Sequence, residues 1–148
     1  MGKRQDLDAR GFTLLELVIV LMVLGLAVAL VAPAVGRSTA TIRTRTEVAR
    51  FAALLRHARE QAITTRSAHD LIVEPRAHRV RIVAGDEVRQ TRALPADMTV
   101  AADPPPALSV RFEPEGTSTG GDFHLAAGPS RYRVTVDRLT GRVRTERE

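Results

Sequence analysis

The sequence predicts an α+β chain: a long N-terminal helix, transmembrane in its first half, packed through its second half on a C-terminal antiparallel β-sheet or sandwich. Three observations carry that prediction. Residues 17–36 form a run of twenty without a charge. Residues 37–67 then place apolar side chains at three- and four-residue spacing, with no Pro or Gly to interrupt them. From residue 68 the pattern changes to short alternating runs separated by turn formers. A length of 148 residues allows one modest domain with an appendage and excludes a large multidomain enzyme.

Residues 1–11 are a short basic leader in which Lys3, Arg4 and Arg10 outnumber Asp6 and Asp8. The uncharged run from Leu17 to Gly36 is as long as a helix needs to cross the hydrocarbon core of a bilayer, about 30 Å. It is too long for the apolar region of a secretory signal peptide, roughly 7–15 residues, and it has none of the polar stripe of a buried soluble helix. Glu16 stands at the start of this segment, between GFTLL and LVIVL. An unpaired carboxylate there is costly unless it finds a cationic or hydrogen-bonding partner or stays in the headgroups. Pro33 removes a backbone hydrogen bond within the same helix and favours a kink.

After Gly36 the helical period resumes with Ile42, Val48, Phe51, Leu55, Ala58 and Ala62 on one face, while arginines fill other positions. A helix from Phe12 to about Thr65 would be roughly 80 Å long. Beyond it, residues 71–73, 79–83, 108–112, 122–125 and 132–136 alternate as strands do, and seven or eight short strands are expected over residues 68–148. Glu74-Pro75-Arg76, Ala84-Gly85-Asp86, Pro114-Glu115-Gly116, Gly128-Pro129 and Thr140-Gly141 mark the turns. The run Asp103-Pro104-Pro105-Pro106 cannot occupy a central strand and marks a loop.

The net charge of +5 is unevenly placed. Residues 37–67 contain seven Arg and two Glu, which accounts for +5, whereas residues 68–148 contain twelve Arg and twelve acids and are neutral on balance. A basic segment just outside the bilayer would face anionic headgroups, at about 1 kcal/mol per nearby Arg. The absence of Cys removes disulfide scaffolds, thiol nucleophiles and Cys-ligated zinc. His57, His69, His78 and His124 are scattered without metal-ligand spacing and read as surface or packing residues. The segment Gly116-Thr-Ser-Thr-Gly-Gly lacks the Lys and the following helix of a phosphate-binding loop and reads as a flexible hairpin loop. No nucleophile signature is present, so no enzymatic activity, cofactor or metal is expected.

Arg10-Gly11-Phe12-Thr13-Leu14-Leu15-Glu16 followed by the apolar run resembles the class III signal of type IV pilins and type II secretion pseudopilins. The resemblance implies cleavage between Gly11 and Phe12 by prepilin peptidase, N-methylation of Phe12, and an assembly role for Glu16 as the partner of a neighbouring subunit's N-terminal amine. Paired charges in low dielectric are far less costly than either alone. The helix running to residue 67 resembles the spindle helix of pilins, and Pro33 stands where such helices commonly carry a proline. Residues 110–123, with Arg133-Val134-Thr135-Val136 and Thr140-Gly141-Arg142-Val143, are similar to the C-terminal domain of H-type minor pseudopilins and their FimT-type relatives. The resemblance implies a minor pseudopilin of the type II secretion system, held in the inner membrane with its C-terminal domain in the periplasm. Its partners would be other pseudopilins, the peptidase, the inner-membrane secretion platform and membrane lipids.

Three lysines and arginines before the apolar run and five from Arg37 to Arg56 favour the opposite topology by the positive-inside rule. That rule weakens for long translocated domains, so the topology of the family is preferred. A type IV minor pilin for pilus assembly or DNA uptake is the alternative, with Arg142 and Arg144 of Gly141-Arg142-Val143-Arg144 as candidate nucleic-acid contacts. The neutral β domain disfavours it, because phosphate binding depends on net positive charge. A plain membrane-anchored adaptor is the third reading.

Overall fold

The computed structural model describes residues 12–105 and 108–148; side chains of residues 30–40 are outside the description. The chain divides into two units, residues 1–40 and 41–148. Helix α1 runs Leu14–Thr65, close to the expected span. In the first unit every described side chain from Phe12 to Ala29 is exposed.

In the second unit, α1 buries Thr44, Val48, Phe51, Leu55, Ala58 and Ala62. Their spacing alternates four and three residues, which keeps one stripe facing a core. The expected stripe began at Ile42, which is instead 63% exposed. Six residues before Val48, Ile42 falls about 120° off the stripe, whereas Thr44, four before it, stays on the buried face. The helix stops at Thr65 without a glycine. Arg66 takes a left-handed conformation (φ 51) and Ser67 N–H reaches back to the Ala62 carbonyl at 3.2 Å, closing the last turn.

Among the described residues eight antiparallel strands follow: β1 (His69–Glu74), β2 (Arg79–Ala84), β3 (Glu87–Ala93), β4 (Met98–Asp103), β5 (Ser109–Phe112), β6 (Gly121–Ala127), β7 (Ser130–Val136) and β8 (Val143–Arg147). They form two four-stranded sheets, ordered β3-β2-β1-β5 and β4-β6-β7-β8. Alternation explains the inward faces: Leu71 and Val73 on β1, Val80 and Ile82 on β2, Phe123 and Leu125 on β6, Val134 and Val136 on β7 are all buried. Phe51 of α1 meets Phe123 edge-on, with ring centroids 5.4 Å apart, so helix and second sheet share one core.

The β3, β4 and β8 strands are not among the alternating runs named from sequence. All three lie at sheet edges, and β3 and β8 have nearly every side chain exposed, so they carry no apolar period to read. The proline run follows β4 directly, consistent with the expected loop, although residues 106–107 lie outside the described part.

Ion pairs balance the first sheet. Arg111 grips Asp70 through two 3.0 Å bonds across the β1–β5 pairing, and Glu74 takes both Arg79 and Arg81. Glu47 of α1 accepts from Arg50 at 2.6 Å and from Arg92 of β3 at 3.4 Å.

Candidate functional site

The helix start is built by Thr13. Its hydroxyl accepts the Glu16 backbone N–H at 3.1 Å and its carbonyl accepts the Leu17 N–H at 3.1 Å. Thr13 is thus the N-cap and Glu16 the third helical residue, the Thr-x-x-Glu spacing of a capping box. That signal was present in the sequence, but only the carboxylate was singled out there. Capping commits the backbone of Glu16 and leaves its side chain exposed, and among the described residues no cationic group lies within ion-pair distance of it. Phe12, just before the cap, is 75% exposed. Gly11 and the leader 1–10 lie outside the described residues, and so does the side chain of Pro33.

Below the cap, Leu14, Leu15, Leu17, Val18, Ile19 and the large apolar side chains onward to Val28 are exposed together. A continuous apolar surface of this kind requires a cover of lipid or protein. Among the described residues no helix is long and apolar enough to cross a membrane. The side chains of residues 30–36, the last part of the expected span, lie outside the described ones, so that absence does not extend to them.

The β domain offers no catalytic constellation among its described residues. His69 is buried, its Nδ1 2.9 Å from the Ser67 carbonyl, and His124 lies 2.9 Å from Glu148, while His57 and His78 are exposed. Among the described residues no cluster of His, Asp or Glu could hold a metal ion.

The 116–121 loop was expected to be flexible, yet it is tied down. Arg59 of α1 donates from Nε to the Gly116 carbonyl at 3.1 Å, and Ser118 N–H reaches the Arg138 carbonyl at 2.8 Å. The β7–β8 turn closes on the same arginine. Gly141 has φ 61, and a Cβ there would stand 2.4 Å from the Gly116 oxygen and 2.7 Å from Arg59 Nε. Arg59 therefore bonds the helix to the connection between the two sheets and packs against the β7–β8 turn.

Within that turn, Asp137 accepts the Thr140 N–H and hydroxyl, both at 2.8 Å, and the Leu139 N–H at 3.1 Å. The Thr140 N–H first, then its hydroxyl, hold the Asp137 carboxyl below the usual carboxylate range, with Arg144 adding a smaller Coulombic pull. Arg142 is exposed and lines a cavity with Arg56, Arg59 and Glu60 of α1.

A capped helix with an exposed apolar face and a free carboxylate in its first turn, continuing into a stripe that carries two antiparallel sheets, defines a pilin-fold subunit. Comparison with known proteins agrees. A prokaryotic N-terminal methylation motif matches residues 7–32, and the model of type II transport protein GspH matches residues 47–140. The chain belongs to the type II transport protein GspH family, the H-type minor pseudopilins of type II secretion. It is 32% identical to type II secretion system protein H of Xanthomonas campestris pv. campestris over 139 residues, covering 92% of this chain and 82% of that protein. Its fold is similar to the type IV minor pilin FimU of Pseudomonas aeruginosa (TM-score 0.62, 16% identity, 73% of this chain and 91% of the other). It is likewise similar to the minor pseudopilin EpsH from the type 2 secretion system of Vibrio cholerae (TM-score 0.54, 16% identity, 73% and 96%).

Proposed function

We propose that prepilin peptidase cuts this chain between Gly11 and Phe12, that Phe12 is N-methylated, and that the subunit waits in the inner membrane with residues 68–148 in the periplasm. From there it enters a pseudopilus with other pseudopilins on the inner-membrane platform, and motion of that filament drives folded proteins across the outer membrane. The observation that carries the proposal is the Glu16 carboxylate, without an ion-pair partner among the described residues, in the first turn of a helix whose apolar side chains from Leu14 to Ala29 are all exposed. Cleavage supplies the cation that this carboxylate lacks. Placed against the amine of a neighbouring subunit, the pair would be mutually neutralised at a depth where either charge alone is costly.

Mass spectrometry of the mature N-terminus tests the first step: a methylated Phe12 is expected, and an intact Met1 or Gly2 start refutes processing. Glu16→Ala should leave processing largely intact and impair secretion; normal secretion would refute the charge-pair mechanism. Protease added to spheroplasts should digest the C-terminal domain, and full protection would refute the topology. The alternative, a type IV minor pilin contacting DNA through Arg142 and Arg144, draws on the FimU-like fold. A gel shift across a salt series tests it: binding that weakens on Arg142→Ala and Arg144→Ala would favour it.

A further inference from the structure

The register of β8 leaves one sheet edge open along the helix. Glu148 N–H bonds the Arg131 carbonyl at 3.0 Å and Asp137 N–H bonds the Arg142 carbonyl at 2.9 Å, in a ladder that pairs Tyr132 with Arg147 and Val136 with Val143. Main-chain groups alternate sides along an antiparallel strand. The even-numbered residues therefore spend theirs on β7, while Val143, Thr145 and Arg147 direct N–H and C=O outward. Among the described residues no strand pairs with that side.

A groove of about 610 Å³ lies between this edge and α1, floored by Val48, Ala49 and Ala52 and flanked by Arg45, Arg56 and Arg147. A second cavity of about 500 Å³ continues past Arg56 to Val143 and Arg142, so the groove follows the whole strand. Thr145 and Arg147 pair with Val134 and Tyr132, whose side chains are buried, so they share the helix-facing side of the sheet. A strand added to β8 would place every second side chain over the Ala49–Ala52 floor, between the arginines.

Charge selects the occupant. On the first sheet Arg79, Arg81, Arg89, Arg92 and Arg111 each have a carboxylate partner. Arg45, Arg56 and Arg147 have none within ion-pair distance among the described residues, and Glu146 is the one acid lining the larger cavity. We infer that the β8–α1 groove binds an extended acidic segment of a partner protein by strand addition, with main-chain bonds to Thr145 and Arg147 and carboxylates against Arg45 and Arg56. Strand addition draws affinity from the main chain and specificity from alternate side chains. Nucleic acid fits this groove less well, since phosphates could take up the arginines and outward N–H groups but leave the outward C=O groups and the apolar floor unmatched.

The test uses the full-length chain in detergent micelles and a fluorescein-labelled peptide of alternating Glu and Val, read by anisotropy. Saturable binding is expected, falling with salt. Arg45→Glu with Arg56→Glu should weaken it about tenfold, as each exposed charge contact is worth up to about fivefold and reversal adds repulsion. Thr145→Pro should abolish it with no change in the melting profile, because that N–H faces outward and proline is tolerated at an open edge. Should Thr145→Pro disturb folding, alternate N-methylation of the peptide removes the same bonds from the other side. Equal binding of the N-methylated peptide, equal binding of a Lys-for-Glu peptide, or no saturable binding of the Glu peptide each overturns the inference; so does a DNA duplex binding where the peptide does not. Glu16→Ala should bind the peptide as the parent does, so failure of the assembly mechanism and failure of this site are separately visible.

Discussion

Gly141→Ala probes the junction at which Arg59 bonds the β5–β6 connection to the helix beside the β7–β8 turn. Two costs add. Gly141 sits at φ 61, where an L-residue pays about 1–2 kcal/mol. The new Cβ would also stand 2.4 Å from the Gly116 carbonyl oxygen, a backbone atom that no rotamer change can move aside. Relief requires the 113–117 turn to back away, which breaks the 3.1 Å bond from Arg59 Nε to Gly116, a charged-donor bond worth roughly 1.5–3 kcal/mol. The sum is about 3–5 kcal/mol, or roughly 12–20 °C in melting temperature for a domain of this size. Differential scanning calorimetry on the full chain in micelles reads it directly. The control is Gly128→Ala, at φ 55 in the β6–β7 turn with nothing within 4 Å of the added carbon. That variant should lose only the conformational part, about 1–2 kcal/mol. Equal losses at the two glycines would refute the crowding argument and the Arg59 junction with it.

Phe51→Ala should cost about 3–5 kcal/mol by calorimetry, since a fully buried ring leaves a cavity facing Phe123 between helix and sheet. Thr13→Ala should remove the N-cap, worth about 1 kcal/mol to the helix end, and accelerate amide exchange at Glu16 and Leu17 without moving the main melting transition. Acid should destabilise the β domain through Asp137 and Glu74. The first is lowered chiefly by Thr140 N–H and the second by its bond from Arg79, from ordinary values of 3.8 and 4.5. Folded values below unfolded ones mean the contribution is complete at neutral pH and is lost as pH falls past those ordinary values and through the folded ones. Asp137→Asn should flatten that acid limb; an unchanged limb would show the turn does not depend on the charge.

What the sequence determined by itself was what depends on composition and short-range order. The uncharged run, the Gly11-Phe12 step with Glu16 behind it, the end of the helix near Thr65 and the strands with a buried alternate face were all legible, because each leaves a local period or spacing. Ile42 misled because a six-residue offset looks helical in a list but turns away on the helix. The edge strands β3 and β8, nearly all exposed, carry no apolar alternation to read, and in β4 the alternation of Met98 and Val100 fades into Ala101-Ala102. Tertiary structure alone decided the rest. Arg59, Gly116 and Gly141 are far apart in the chain and meet only when two sheets close on the helix. The +5 segment likewise acquired meaning only in three dimensions: folding pairs Arg50 with Glu47, leaves Arg45 and Arg56 with no carboxylate within ion-pair distance among the described residues, and sets them beside an open strand edge whose main-chain groups face a groove. Charge pairing depends on which side chains the fold brings within a few ångströms, and a sum over sequence cannot contain that.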